Sequence, residues 1–461
     1  MSSINIDQKI LEKQKMEVFN ELVKYIWMDE VENIEELPRK ILKKDIYKNF
    51  DESVVLNLIR ITMGLDPLEQ VDNNLREMLN EALNLNEVKK PVISIIKDAC
   101  KYCDNNISEQ CLVRDKHNDC NEKDICSACG ECSSKCKLGA ISDKIQFVPM
   151  VQLLKGESCP VYAIVAPAFV GQFGKDVTPG KLRSAFKKMG FEDMIEVALA
   201  ADMLTAKEAY EYYNHMKDNK DECFITSCCC PIWVSLIQKS FPEILKNVSP
   251  SVSPMIACGR AIKVLNPDAK VVFIGPCMAK KKEALLDDIK DAVDFVLTFK
   301  EVEEILDAID INPAEMENDD RVEASLSGRV YARTGGVSKA VQLSVERIDP
   351  NIKFIHKAFD GPKECKEGLT KVINKEINAT FIEGMGCVGG CVGGPKRILS
   401  VEEGTKEVDK YCEETNMDTP FDNLNVIQFL TLMGIKRVDS LTDKDIEQVK
   451  NIFSRDIRGS K

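Results

Sequence analysis

The chain has 461 residues, 44% of them apolar, enough for two to four domains with substantial cores. A net charge of −13 argues against nonspecific nucleic-acid binding, which needs a basic surface, and the lysine run 280–282 reads as local charge beside a site. No apolar run reaches the roughly 18 residues of a membrane span, and the start "MSSINIDQKILEKQKMEVF" lacks a secretion signal's apolar stretch, so a cytoplasmic location with no membrane or nucleic-acid partner is expected.

Residues 1–95 contain no cysteine, are rich in Glu, Lys, Leu and Ile, and carry helical spacing at Ile10, Val18, Leu22, Tyr25 and Ile26. They are expected to form a small helical domain for packing or docking, of no legible function.

Nineteen cysteines is far above ordinary usage, and the number is odd. In a large chain of a reducing compartment, clustered cysteines point to metal ligation or redox chemistry before disulfides. Eight of them fall in residues 96–158, where short strand-like pieces alternate with cysteine-rich loops and large apolar side chains are few. Such a segment needs metal as its core. "CSACGECSSKC" sets Cys126, Cys129, Cys132 and Cys136 at CxxCxxCxxxC, which wraps three thiolates around one face of a cubane and sends the fourth elsewhere. Upstream, Cys100, Cys103, Cys111 and Cys120 have stretched spacing, so the eight can hold two 4Fe-4S clusters. They divide in an interlocked manner, Cys100, Cys103 and Cys111 with Cys136 and Cys120 with the other three, or as two sequential quartets. A zinc knuckle fits four cysteines in one 11-residue run poorly. With eight cysteines at hand, a ligand role for His117 is not needed.

From residue 159 to 461 apolar runs alternate with amphipathic stretches: "VYAIVAPAF", "ECFITS", "AKVVFIGPC", "AVDFVLTF" and "NATFIEGM" read as buried parallel strands of an α/β domain flanked by helices. Two closing helices are expected from about residue 420. Three cysteine sites stand at the carboxyl ends of such strands, where α/β sheets open their ligand crevices: "TSCCCPIW", "GPCMAKKKE" and "EGMGCVGGCVGGP". Four thiolates from three loops can hold a cubane, and Gly386, Gly389, Gly390, Gly393 and Gly394 let backbone approach a bulky group. "GMGCVG" formally satisfies GxGxxG with Glu402 and Glu403 downstream, but Cys387 inside it and Cys391 after it suit metal, not pyrophosphate. Cys159, Cys223, Cys258, Cys365 and Cys412 stand alone and read as inert thiols.

These three motifs, in this order, with "VAPAF" and "RTGGVSKA" in the expected places, closely resemble the FeFe hydrogenases over residues 96–461, nearest to the branch whose first motif reads TSCCCP. The resemblance implies a hydrogenase-type catalytic domain, a ferredoxin-like domain with two accessory 4Fe-4S clusters, and reversible interconversion of H2 with protons and electrons. It implies an H-cluster: a cubane joined to a two-iron unit carrying CO, cyanide and a bridging amine dithiolate. By position Cys391 bridges the two units, and Cys277 and Cys387 are further cubane ligands. The fourth comes from the triplet. Counting back from "PIWVSLIQKSFPE" makes Cys230 the ligand and Cys229 the proton-relay thiol; counting forward from "TS" makes them Cys229 and Cys228. Glu208, Glu211 and Ser249 match the family's relay, with a solvated acidic face as the alternative for the two glutamates. Lys280 matches the lysine that contacts a cyanide, with Glu283 its natural partner. Ala168, Ser253, Pro254, Pro276 and Met385 match positions around the cofactor.

Gly275, Gly386 and Met255 depart from the methionine, alanine and glutamine usual there, so altered redox poise or catalytic bias is expected. The implied partners are H2, protons, an electron carrier such as ferredoxin, and maturation proteins that insert the two-iron unit. The rival readings are a hydrogenase-like iron-sulfur assembly protein and a low-turnover hydrogen sensor.

Overall fold

The computed structural model describes residues 9–42, 50–102, 126–156, 158–218, 222–227 and 229–457, which fall into two compact units. The first unit runs to Ser158 and also takes in Lys300–Asn312. The second is formed by Cys159–Phe299 and Pro313–Lys461.

In the first unit the expected helices form: Ile10–Trp27, Leu37–Leu42, Glu52–Thr62 and Leu75–Leu83, the last capped by the Asn74 side chain. Val18, Leu22 and Ile26 lie on one face of the first helix and are buried. Lys15 is buried on the same helix, and its Nζ donates to the Asp143 carboxylate at 3.0 Å and the Asp143 carbonyl at 2.8 Å. Asp143 ends a two-stranded antiparallel hairpin, β1 (Ile93–Ile95) with β2 (Ile141–Asp143), that brackets the cysteine-rich segment. The 300–312 stretch joins through Asn20, whose Nδ2 donates to Glu304 Oε2 at 3.0 Å and Asp307 Oδ2 at 2.9 Å.

The second unit is α/β, with two all-parallel sheets. β3 (Val161–Val165), β4 (Asp193–Glu196), β6 (Lys270–Gly275) and β7 (Phe295–Thr298) lie in the order β4-β3-β6-β7. β5 (Phe224–Ile225), β8 (His356–Asp360) and β9 (Phe381–Met385) lie in the order β5-β9-β8. Central strands β3, β6 and β9 are nearly continuous apolar runs because helices cover both faces. The helix Val197–Asp218 packs against Pro254–Leu265 and Gly336–Ile348. Leu424–Leu432 and Glu447–Phe453 are the closing helices. Among the described residues no helix is long and apolar enough to cross a membrane.

Candidate metal centre

Three loops leave the carboxyl ends of parallel strands. β5 leads to Cys229 and Cys230 and then to the helix Pro231–Ser240. The proline ring suits the first helical position, so Cys230 takes the cap. β6 ends just before Pro276 and Cys277, and the short helix Ala279–Glu283 follows. β9 ends at Met385 and passes through Gly386 and Cys387 into the turn Cys391–Gly393. Ile225 pairs with Ile382, which sets the first and third loops side by side.

The loops interlock. The Gly386 amide donates to Cys230 Sγ at 3.2 Å, Lys280 Nζ donates to the Cys229 carbonyl at 3.4 Å, and the Lys396 amide donates to the Pro276 carbonyl at 3.0 Å. Gly390 has φ +85° and a Cβ there would lie 2.6 Å from the Thr334 nitrogen, so both conformation and space demand glycine. At Gly394 a Cβ would come within 2.6 Å of the Pro276 carbonyl oxygen, which ties the third loop to the second.

The thiols sense one another. Burial, with the nearby Cys230 and Cys391 charges, pushes the Cys277 thiol up to about 12, against the pull of Lys280. Burial also raises Cys230, opposed by the Trp233 and Gly386 amides. Cys391 goes the other way: the hydrogen bond from Cys229 lowers it more than burial raises it, and the Lys280 charge adds to the lowering. Cys229 Sγ also stands 3.6 Å from Met385 Sδ. Lys280 is buried, and burial works against its charge. The Glu283 carboxylate at 2.7 Å outweighs that, with help from Cys229 and Cys277, and the net effect is upward.

This donor set fits an iron-sulfur cubane. The Cys230, Cys277 and Cys391 thiols, from three separate loops, are near enough to shift one another. Thiolates spread over separate corners are what a cubane asks for. Buried Ser253 Oγ, at the start of the helix Pro254–Leu265, has no hydrogen-bond partner among the described residues and keeps a donor to spare.

Carboxylates and hydroxyls stand on the helix Val197–Asp218 and the strand end beside it. Thr226 Oγ1 donates to Glu208 Oε1 at 3.0 Å and Oε2 at 2.7 Å. Ser249 Oγ donates to Glu211 Oε2 at 2.8 Å. Glu208 is fully buried, which rules out the solvated acidic face for that residue, while Glu211 is half-buried.

Residues 159–395, just over half of the chain, match the family described as iron only hydrogenase large subunit, C-terminal domain. This chain belongs to that family. It is 29% identical to iron hydrogenase 1 of Clostridium pasteurianum over 308 residues, covering 56% of this chain and 53% of that protein. It is 26% identical to the NADP-reducing hydrogenase subunit HndD of Solidesulfovibrio fructosivorans, covering 59% and 55%. The chain thus spans about half the length of these curated relatives. A cytosolic Fe-S cluster assembly factor, NAR1 of Yarrowia lipolytica, is 26% identical over 41% of this chain and 43% of its own length. Among solved structures, an apo FeFe-hydrogenase HydA1 variant from Chlamydomonas reinhardtii superposes with a TM-score of 0.52 at 18% identity, over 66% of this chain and 96% of that one. The iron-only hydrogenase fold, with parallel sheets flanked by helices, is the architecture of the second unit.

In this family member, Cys229, Cys230, Cys277, Cys391, Lys280 and Met385 come together. Cys387 opens the third loop, and Ala168 is buried in the turn Pro167–Phe169 after β3. Cys228 lies outside the described residues, as do Cys103, Cys111, Cys120 and His117. In the first unit Cys126 Sγ accepts the Ala128 amide at 3.3 Å, Ala128 and Gly130 have φ of +52° and +84°, and burial pushes Cys129 up to about 11. Cys132 lies in the short helix Glu131–Lys135 and Cys136 ends it, the Cys136 amide donating to the Cys132 carbonyl at 3.0 Å, and Cys100 is exposed.

Sequence reasoning missed four side chains. Glu383 accepts the Gly335 and Ser338 amides, Asp360 accepts the Gly389 amide at 2.8 Å, Thr226 serves Glu208, and Lys207 serves Glu211. Glu383 and Thr226 stand inside quoted motifs, so a signal existed for them. Lys207 had one in its i,i+4 spacing to Glu211, and Asp360 has none.

Proposed function

We propose that this chain is an FeFe hydrogenase of the TSCCCP branch, interconverting H2 with protons and electrons. The observation that carries the reading is the convergence of Cys230, Cys277 and Cys391 with the buried Lys280–Glu283 pair, whose ammonium reaches the Cys229 carbonyl. Cys230, Cys277, Cys387 and Cys391 would hold the cubane of an H-cluster, Cys391 bridging to the two-iron unit with its CO, cyanide and amine dithiolate. When bound, that unit supplies the heterolytic cleavage of H2. Lys280 presents a fixed positive charge to anionic ligands. The Cys229 thiol is the group that exchanges the proton. Glu208, Ser249 and Glu211 carry it outward. Ala168, Ser253, Pro254, Pro276 and Met385 line the cofactor.

The eight cysteines of residues 96–158 would hold two accessory 4Fe-4S clusters in a ferredoxin-like domain, passing electrons to a carrier such as ferredoxin in the cytoplasm, with residues 1–95 a separate helical domain. Maturation proteins would insert the two-iron unit. The likeness to assembly factors supports a second reading, an iron-sulfur carrier without hydrogen chemistry. Protein matured and purified without oxygen should show infrared bands of iron-bound CO and cyanide and should turn over H2 with a viologen dye. Competent maturation that yields neither would replace the enzyme reading with the carrier.

A further inference from the structure

A ring of hydrogen bonds closes around Glu211. Lys207 and Glu211 lie one turn apart on the helix Val197–Asp218. Lys207 Nζ donates to Glu211 Oε1 at 2.5 Å and to Ser251 Oγ at 2.8 Å. Ser249 Oγ lies 2.8 Å from Glu211 Oε2 and 2.9 Å from Ser251 Oγ. The Lys207 side chain is 2% exposed and that of Glu211 15%, so this is an interior ion pair with one edge toward solvent.

An ammonium can only donate, and an ionised carboxylate can only accept. These two ends orient the hydroxyls between them: Lys207 takes up an acceptor site on Ser251, and Ser249, whose one proton lies within reach of both Ser251 Oγ and Glu211 Oε2, donates to the carboxylate. The backbone holds the serines in place, because Ser227 Oγ donates to the Ser249 carbonyl at 2.7 Å and the Ser251 carbonyl at 2.9 Å. Several charges on the elements packed against this helix are engaged elsewhere: Arg260 with Asp291, Lys263 with Asp294, Arg347 with Asp422, Arg437 with Asp439, and Glu346 with Gln342, while Lys339 is the remaining cation on the helix Gly336–Ile348. Glu208, the neighbouring carboxylate, is bonded by Thr226.

We propose that Lys207 is a positioning residue for proton transfer: its buried charge keeps Glu211 ionised and, through Ser251, aims the Ser249 hydroxyl at it. The inference rests on the hydrogenase reading, in which Ser249 and Glu211 carry protons. When Ser249 receives a proton on its oxygen it gives its own hydroxyl proton to Glu211 Oε2. Glu211 releases that proton to solvent, and Lys207 keeps its three throughout. Without the ammonium, burial favours the protonated form of a carboxylate placed here, and a protonated one no longer accepts.

The test is infrared spectroscopy of the full chain at neutral pH. Lys207→Met should gain a carboxylic-acid C=O band that wild type and Lys207→Arg lack and that the double variant K207M/E211Q loses, which assigns the band to Glu211. Lys207→Gln, closer in polarity, should show the same band and covers the case in which the methionine variant fails to fold. In matured protein K207M turnover should fall at least about tenfold, in line with the loss of a well-placed proton-transfer group, with the CO and cyanide bands unchanged and most activity restored in K207R. The proposal is overturned if both neutral variants keep Glu211 ionised, if K207R gains the band too, or if the band appears while turnover stays at the wild-type rate. A wild type without CO and cyanide bands would sink the hydrogenase reading instead, and the carboxylic-acid band would still decide what Lys207 does to Glu211.

Discussion

Glu383 on β9 accepts both the amide (2.8 Å) and the hydroxyl (2.7 Å) of Ser338, two residues into the helix Gly336–Ile348. A third bond, from the Gly335 amide at 3.0 Å, completes the cap. A carboxylate at the positive end of a helix is favourable, and here it fastens the strand carrying Met385 and Cys387 to the segment "RTGGVSKA". Burial raises the Glu383 carboxyl, and these bonds from Ser338, Gly335 and Val337 oppose it.

Glu383→Gln keeps one acceptor and removes the charge. Hydrogen bonds to charged groups contribute roughly 1.5–3 kcal/mol each, so the variant should lose about 2 kcal/mol of stability. Denaturant unfolding of the full chain reads this, and an unchanged midpoint would show that the cap contributes nothing.

The apolar runs that predicted β3, β5, β6, β7 and β9 are strands buried on both faces, where periodicity and composition agree. β4 (Asp193–Glu196) and β8 (His356–Asp360) went unread because, unlike the fully buried edge strands β5 and β7, they leave alternate or leading residues partly exposed and carry charged and polar side chains there. The membership of 300–312 in the first unit rests on Asn20 reaching Glu304 and Asp307, a pairing across more than half the chain that no local pattern encodes. In the site, cysteine spacing named the thiols because metal chemistry restricts residue type. Asp360 acts through a partner 29 residues away and nothing in its own neighbourhood marks it, whereas Lys207 has a local mark in its i,i+4 spacing to Glu211 but reaches Ser251 44 residues away.

A buried cluster away from the thiols sets a pH dependence. Burial, then the charge of Glu323, pushes Glu196 up to about 7, against Arg329, the Tyr411 hydroxyl at 2.9 Å and Arg183. A carboxyl raised on folding contributes stability that is complete below its unfolded value and lost as pH rises through the folded one. The window is therefore pH 4.5 to about 7. Across it wild type should lose on the order of 3 kcal/mol relative to Glu196→Gln, which has no proton to release, at about 1.4 kcal/mol per tenfold change in proton affinity. Unfolding curves of the two proteins at pH 5 and pH 8 measure the difference, and parallel behaviour would refute the assignment.

Thr226 gives its hydroxyl to a buried carboxylate, at 2.7 Å from Glu208 Oε2. Thr226→Val should cost about 1–3 kcal/mol, the usual consequence of removing a donor from a buried acceptor. If Glu208 carries protons, matured T226V should also turn over H2 more slowly with its iron content intact, and Thr226→Ser should restore the rate. Equal rates in T226V and wild type would leave the hydroxyl a structural role alone.

Lys280 and Glu283 are both buried and 2.7 Å apart. Removing one partner strands the other charge, so Lys280→Met should cost about 3–5 kcal/mol, whereas K280M with Glu283→Gln should recover much of it. A double-mutant cycle by denaturant unfolding gives the coupling, and additive effects would mean that the pair is solvated in a way its burial does not suggest.

The two described members of the cysteine triplet stand in different surroundings. Cys230 caps the helix that begins at Pro231, and its Sγ takes the Gly386 amide from the third loop at 3.2 Å. Such a sulfur is held in one place by backbone, which is what a cluster ligand requires. Cys229, one residue earlier, directs its thiol to Cys391 and to Met385 Sδ, 3.6 Å away, with Lys280 on its carbonyl. A thiol bonded to other side chains can give up its proton without dismantling the scaffold. Cys230→Ala should therefore lose one cluster's iron by analysis and its spectroscopic signal, while Cys229→Ala should keep the iron and lose turnover by about a hundredfold or more, the usual range for a lost proton-transfer group. The reverse pattern would move the ligand to Cys229 and the proton to Cys228.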